Sequence, residues 1–276
     1  MINVLSGVFV RIVSNSYLNV FQKKLTNSGC KPSVVNFYTY LGLSILCLAL
    51  IPFYKISFSP ELLINFLIMG FLGALGNYFI IKALSIGELS SLAPINSYKP
   101  IVALIIALFY LKEIPSLLAI FGIAFIIFGT YVLFEKVVGK YNSKAVLYRV
   151  LALIFSGTEA VFIKKIILLT NIPTSFALWA ISGLIFSVFF VICAKHKFEF
   201  PSVKNLLLLI ISVAIMQYST NFVFSKMNVS YALAIFQLST LLSVFLGVNV
   251  FKEGGLKRKL YASSIMILGA VIIILG

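Results

Sequence analysis

Apolar residues run along this chain in about ten blocks, each near the roughly 20 residues an α-helix needs to cross the hydrocarbon core of a bilayer. The blocks fall at approximately 2–21, 33–51, 62–84, 89–111, 115–134, 146–169, 173–194, 203–227, 232–251 and 260–275. Short polar breaks separate them, punctuated by Asn27-Ser28-Gly29, Ser59-Pro60, Ile114-Pro115, Gly139, Phe200-Pro201 and Gly254-Gly255. Stretches such as 206–211 and 271–275 are continuously apolar, whereas the strands of a membrane barrel would alternate. Backbone groups in lipid must be satisfied internally. The pattern therefore predicts an all-α membrane protein of about ten transmembrane helices.

The two halves echo each other. Phe21-Gln22-Lys23-Lys24-Leu25 matches Phe162-Ile163-Lys164-Lys165-Ile166, and Ser59-Pro60 matches Phe200-Pro201. Asn77 and Lys82 recur as Asn221 and Lys226, and Leu111-Lys112-Glu113 recurs as Phe251-Lys252-Glu253. These landmarks keep one order at an offset of 140–144 residues, which predicts two five-helix repeats, 1–140 and 141–276. An odd number of spans per repeat inverts the second copy in the membrane. Inverted repeats that meet at a midplane site are characteristic of transporters.

Composition agrees. The 276 residues are 61% hydrophobic and 11% charged, with a mean hydropathy of +1.11; soluble domains are about 45–50% apolar. The spans leave no room for a soluble domain. The net charge of +15 would suggest nucleic acid in a soluble protein, but no basic stripe interleaved with aromatics stands out. Lysines at helix ends snorkel to the interface and set orientation. Breaks after odd-numbered blocks hold fifteen Lys and Arg, Arg149 among them, against five (Lys55, Lys112, Lys164, Lys165 and Lys226) after even-numbered ones. The charge rule then places the odd breaks in the cytoplasm and both termini outside. Cys30, Cys47 and Cys193 form no CxxC pair and His196 has no ligand partner at helical spacing, so neither a metal, a cofactor nor a disulfide framework is expected. The first block lacks a basic leader and a cleavage site, so it is expected to be a retained span. Phosphate-loop, HExxH and GxSxG patterns are absent from the sequence, which excludes ATP-driven transport within this chain and disfavours hydrolysis.

Function must then reside in the few polar groups at membrane depth. Arg11, Lys99 and Glu159 fall near the middle of spans. Each costs about 2.5–3.5 kcal/mol on insertion scales and normally faces a cavity or a partner. A permanent ion pair between helices is the structural alternative, but one carboxylate neutralises one cation. A leftover cation would suit a carboxylate or phosphate cargo, or Glu159 could be a proton site. Arg11, Asn15 and Asn19 share a face of the first span. Gln217, Asn221 and Ser225 share one of the eighth, Asn36, Tyr40 and Ser44 one of the second, and Asn96 and Lys99 one of the fourth. Asn77 and Gln237 complete the set of expected cargo-binding residues. Interhelical hydrogen bonding would explain any single stripe; several on different helices predict a shared aqueous cavity. Pro94 and Pro100 bracket Asn96-Ser97-Tyr98-Lys99 and predict a kink or a hinge there. Gly70, Gly73 and Gly76 predict close helix approach in the third span.

The chain resembles the drug/metabolite transporter superfamily, in particular EamA-like permeases. The resemblance rests on residues 83–95 (ALSIGELSSLAPI), Pro100-Ile101-Val102-Ala103-Leu104, Leu111-Lys112-Glu113 and 121–129 (FGIAFIIFG). The second half keeps Lys252-Glu253 and Leu268-Gly269-Ala270 but has Ser239-Thr240 in place of a proline matching Pro100. The resemblance implies ten helices in two inverted repeats, a central cavity, alternating access and export of small metabolites. It also implies cytoplasmic termini, the reverse of the charge count. The reading is thus a non-enzymatic secondary transporter of the cytoplasmic membrane exporting an amino acid or small organic anion, anionic or zwitterionic, with Glu159 either pairing with a cation or carrying a coupled proton. A flippase for a lipid-linked head group and a non-transporting membrane assembly protein are the rivals.

Overall fold

A computed structural model describes residues 2–112, 116–134, 142–194 and 200–275. Glu113, Ile114-Pro115, Gly139, Lys136, Lys140, Lys195, His196 and Lys197 lie outside the described residues. The described residues are 87% helical. Its helices are α1 (Ile2–Asn27), α2 (Pro32–Cys47), α3 (Pro60–Ile86), α4 (Leu89–Leu92), α5 (Lys99–Tyr110), α6 (Leu117–Phe134), α7 (Ser143–Leu169), α8 (Ile172–Cys193), α9 (Val203–Phe224), α10 (Val229–Phe236), α11 (Leu238–Phe251) and α12 (Leu256–Leu275). Short 3₁₀ turns cover Leu48–Phe53 and Pro94–Tyr98.

Eight helical stretches among the described residues are long and apolar enough to cross a membrane: Val4–Asn27, Pro32–Phe53, Pro60–Ile86, Leu89–Tyr110, Ser143–Leu169, Ile172–Cys193, Val203–Phe224 and Val229–Phe251. The protein is a multi-pass membrane protein. Large apolar side chains such as Phe9, Phe71, Phe109 and Phe189 stay exposed on the outside of these stretches, where lipid rather than water meets them. Tyr40, Met69, Phe224 and Phe236 fill the interior.

Local signals set the helix starts. The Ser59 hydroxyl accepts from Leu62 N–H at the head of α3, and the Asn171 side chain accepts from Thr174 N–H at the head of α8. Each is followed by a proline in the first turn, where no intrahelical donor is lost. Asn142 caps α7 in the same way, so α7 begins before the apolar block does.

Helix α3 packs along α7, α1 along α9, α2 along α8, and α6 along α12. The small residues behave as expected: a Cβ on Gly70 would come 2.3 Å from Ser182 Cβ on α8, and one on Gly76 3.2 Å from Ser156 on α7.

Two of the stretches are broken. The fourth block divides into α4, the turn at Pro94–Tyr98, and α5, whose first turn holds Pro100. The ninth breaks at Gln237, between α10 and α11, without any proline. There, side chains take up the carbonyls a continuous helix would have used: Gln237 Nε2 donates to Leu233 O at 2.7 Å and Ser239 Oγ to Phe236 O at 2.7 Å.

Candidate functional site

The broken stretches and their neighbours enclose a cavity of about 90 Å³ inside the bundle, room for several waters. Helix α1 supplies Arg11, Asn15 and Asn19, and α2 supplies Tyr40. Asn77 comes from α3, Asn96 and Lys99 from the first break, Glu159 from α7 and Gln217 from α9. Nine residues singled out by their depth and spacing thus meet at one place.

Arg11 and Asn15 are fixed by the second break. Arg11 Nη1 donates to Ser239 Oγ at 3.4 Å, Asn15 Nδ2 donates to the same oxygen at 3.1 Å, and the guanidinium lies 4.3 Å over the Phe236 ring. Asn77 belongs to an amide chain: Gln22 Nε2 donates to Asn77 Oδ1 at 2.9 Å, and Asn77 Nδ2 to Asn36 Oδ1 at 2.5 Å. Asn36 therefore stands behind the lining. Two buried polar atoms of lining residues have no hydrogen-bond partner among the described residues: Arg11 Nε and the Tyr40 hydroxyl.

Glu159 departs from expectation. Its carboxylate forms no ion pair within 4 Å with Arg11 or Lys99 among the described residues. Instead Oε1 accepts from Trp179 Nε1 at 2.5 Å. The room comes from Gly73, where a Cβ would stand 2.2 Å from that oxygen. Lys99 lies within electrostatic reach of Glu159, Arg11 and Arg149.

Two expected residues do not line the cavity. Asn221 is fully buried behind it, its amide 2.8 Å from that of Gln217 and 3.5 Å from Ser175 Oγ. The cavity face of α9 is Val213, Met216, Gln217, Thr220 and Phe224, and a residue four on from Gln217, which sits at the edge of that face, rotates past it. Gln237, 1% exposed, supports from the break, accepting from Asn96 Nδ2 at 3.2 Å.

Sequence reading missed two lining residues that matter. Arg149 was expected in a polar break. Arg149, already within the 146–169 block, is a buried residue of α7 on one stripe with Ser156, Glu159 and Ile163, and its Nε donates to Leu92 O at 3.2 Å. An Asn-Ser pair ahead of the block was the available signal. Trp179, the single tryptophan of the chain, had no partner legible from spacing, because its contact to Glu159 joins two helices.

At one end of the bundle a buried charge cluster ties α1, α4 and the residues between α11 and α12. Lys23 Nζ pairs with Glu253 Oε1 at 2.7 Å and donates to Gly87 O at 2.7 Å. Glu253 also accepts from the N–H groups of Leu89 (2.8 Å) and Ser90 (2.7 Å). Lys259 Nζ donates to Glu88 Oε2 at 2.7 Å and to Ser90 Oγ at 2.6 Å. Burial alone would raise the Glu253 carboxyl, but Lys23 and the Ser90 bonds outweigh it and hold it below its ordinary 4.5. Gly247 leaves room for the carboxylate, 2.6 Å from where its Cβ would be. A polar recess of about 420 Å³ lies outside the cluster, lined by Lys23, Gly87, Glu88, Asn142 and Leu92. Leu92 also accepts from Arg149, a lining residue of the cavity, so a thin layer divides recess from cavity. Breaks after the first, third and ninth blocks and the head of α7 meet at this end, as the charge count assumed.

Comparison with known proteins bears on this arrangement. Residues 4–135 match the model of the EamA-like transporter family, part of the drug/metabolite transporter superfamily, as the sequence resemblance implied. A solved structure described only as "Crystal structure of protein" superposes with a TM-score of 0.71, covering 99% of this chain and 97% of that one at 14% identity; it shares the fold. No curated protein matches the sequence.

Proposed function

Because residues 4–135 match the model of the EamA-like transporter family, we propose that the protein is a secondary transporter of the cytoplasmic membrane that moves a small metabolite, an amino acid or organic anion, by alternating access. The observation that carries this is the convergence of Arg11, Lys99 and Glu159, with six polar neighbours, on one cavity within the apolar bundle. A structural ion pair would have placed the opposite charges in contact; here the carboxylate is held by Trp179 instead.

The reading includes two inverted five-helix repeats, ten spans in all, with α6 and α12 as the fifth span of each. Three features support it. Lys112 and Lys252 share a left-handed backbone, φ 57° and 58°. Helix α1 packs on α9 as α7 packs on α3. Lys23 donates to Gly87 O at the end of α3, and Lys164 to Phe224 O and Met227 O at the end of α9. The Lys23–Glu253 cluster is the closed gate of one mouth, and the excess of Lys and Arg in the odd-numbered breaks, fifteen against five, assigns that mouth to the cytoplasm.

The test is uptake and counterflow in proteoliposomes. Glu159→Gln is expected to abolish net transport while the protein still elutes as a folded species; wild-type rates would defeat its role. Lys99→Met is expected to weaken anionic cargo more than neutral cargo, and equal losses would refute charge selection.

A flippase is the second reading, favoured by an apolar groove of about 660 Å³ on the lipid face between α1, α2, α8 and α9. Phe176, in that groove, packs 6.4 Å from the Trp179 ring. Movement of lipid-linked head groups with no response to soluble metabolites would establish it.

A further inference from the structure

The geometry points to a small dianion as the cargo, held by Arg11, Lys99 and Arg149 together; this rests on the cavity being the transport site. Among the described residues lining the cavity, three side chains are cationic and one, Glu159, is anionic. The other described acids are committed elsewhere: Glu61 to Lys165, Glu88 to Lys259 and Glu253 to Lys23, each at 2.7 Å. None of the three cavity cations stands within 4 Å of Glu159 among the described residues. If all four groups are ionised, the enclosure holds two positive charges beyond what it neutralises.

Buried charge without a partner is costly, and it is offset only by an opposite charge in good hydrogen-bonding geometry. A neutral cargo would leave both surplus charges uncompensated, and a monoanion would leave one. The positions also suit two anionic ends. Arg11 enters from α1, against Ser239 and Phe236 at the second break. Arg149 enters from a different wall, α7, against Leu92 at the first break. Arg11 Nε and the Tyr40 hydroxyl, both without a partner among the described residues and both more than nine-tenths buried, remain available as donors. Guanidinium groups bind carboxylate and phosphate oxygens through paired hydrogen bonds. Dicarboxylates and phosphate monoesters share the required charge.

A matched series separates charge from shape. Succinate, its monoamide and its diamide differ mainly in charge, and glycerol 3-phosphate supplies the other dianion chemistry. Counterflow in proteoliposomes at pH 7.5 is read alongside the emission of Trp179. Succinate, glycerol 3-phosphate or both are expected to exceed succinate monoamide by about tenfold or more, a magnitude typical of one charged hydrogen-bonding contact. Arg11→Gln and Arg149→Gln should each bring that ratio close to one. Arg149→Lys, which keeps the charge, should retain most of it and guards against loss of folding as the cause. The proposal is overturned if the monoamide or diamide acts as well as both dianions, or if the preference survives both Gln variants. It is equally overturned if all four probes are inert while another solute is carried, although the transporter reading would then stand. Failure of every solute in a broad metabolite panel would remove the transporter reading itself.

Discussion

Gly73 and Glu159 face each other across α3 and α7, and neither position makes sense alone. The carboxylate occupies the space a Cβ at residue 73 would need. Gly73→Ala is expected to push Glu159 off its Trp179 donor and cost about 1–3 kcal/mol, as overpacking does. Thermal melting in detergent measures the loss, and the emission of the single tryptophan reports the displaced carboxylate. Glu253 gives the second residue-scale prediction. Removing its charge leaves Lys23 buried without its partner, so Glu253→Gln should cost about 3–5 kcal/mol. The pH dependence follows from sign. Glu253 and Glu88 are both held below 4.5 in the folded protein. For Glu88, too, burial opposes ionisation, and Lys259 and Ser91 outweigh it. A depressed carboxyl contributes stability that is complete above its unfolded value and lost as pH falls through the folded one. The melting temperature should therefore hold level down to about pH 5 and drop below about pH 4.5, and Glu253→Gln should flatten the drop. The charged groups facing Glu253 are Lys23 from α1, with Lys259 from α12 and Glu88 ahead of α4 one contact further out. Glu88 is half exposed, so its share is reduced by screening.

The two broken stretches set the expectations at the scale of elements. Pro94 and Pro100 made the first break legible, and each sits in the first turn of its own helical segment, Pro94 in the 3₁₀ turn and Pro100 in α5, where proline costs nothing in hydrogen bonding. The second break has no such residue. Gln237 makes it through bonds to Leu233 and to Asn96 of the first break. Proline is thus compatible with the break rather than its cause. Pro100→Ala should shift the melting free energy by less than about 1 kcal/mol and leave transport intact. Gln237→Ala should cost about 1–3 kcal/mol by leaving Asn96 and a carbonyl unsatisfied, and should slow transport. Parallel melts and counterflow rates of the two variants check the contrast.

At the scale of the molecule the closed end should open when its charge cluster is broken. Leu92 lies between the polar recess and the cavity and is 2% exposed. A cysteine placed there by Leu92→Cys should be protected from a membrane-impermeant maleimide. Combined with Glu253→Gln, it should react several times faster. Equal rates in both backgrounds would show that the cluster is a static brace, not a gate.

The hydrophobic pattern by itself determined the class of this protein, because backbone in lipid admits few structures and runs of this length read as helices. The chain also determined which polar residues were too costly to be idle: Arg11, Lys99 and Glu159 were visible because charge at that depth needs a purpose. Only the tertiary structure decided who meets whom. Arg149 joined the cavity because the face of α7 it shares with Ser156 and Glu159 turns inward, Asn221 left it because helical rotation turned it toward α8, and Glu159 found Trp179 on a neighbouring helix. Periodicity fixes the face of one helix, whereas a contact between two depends on their packing angle and offset, which no single-helix pattern encodes.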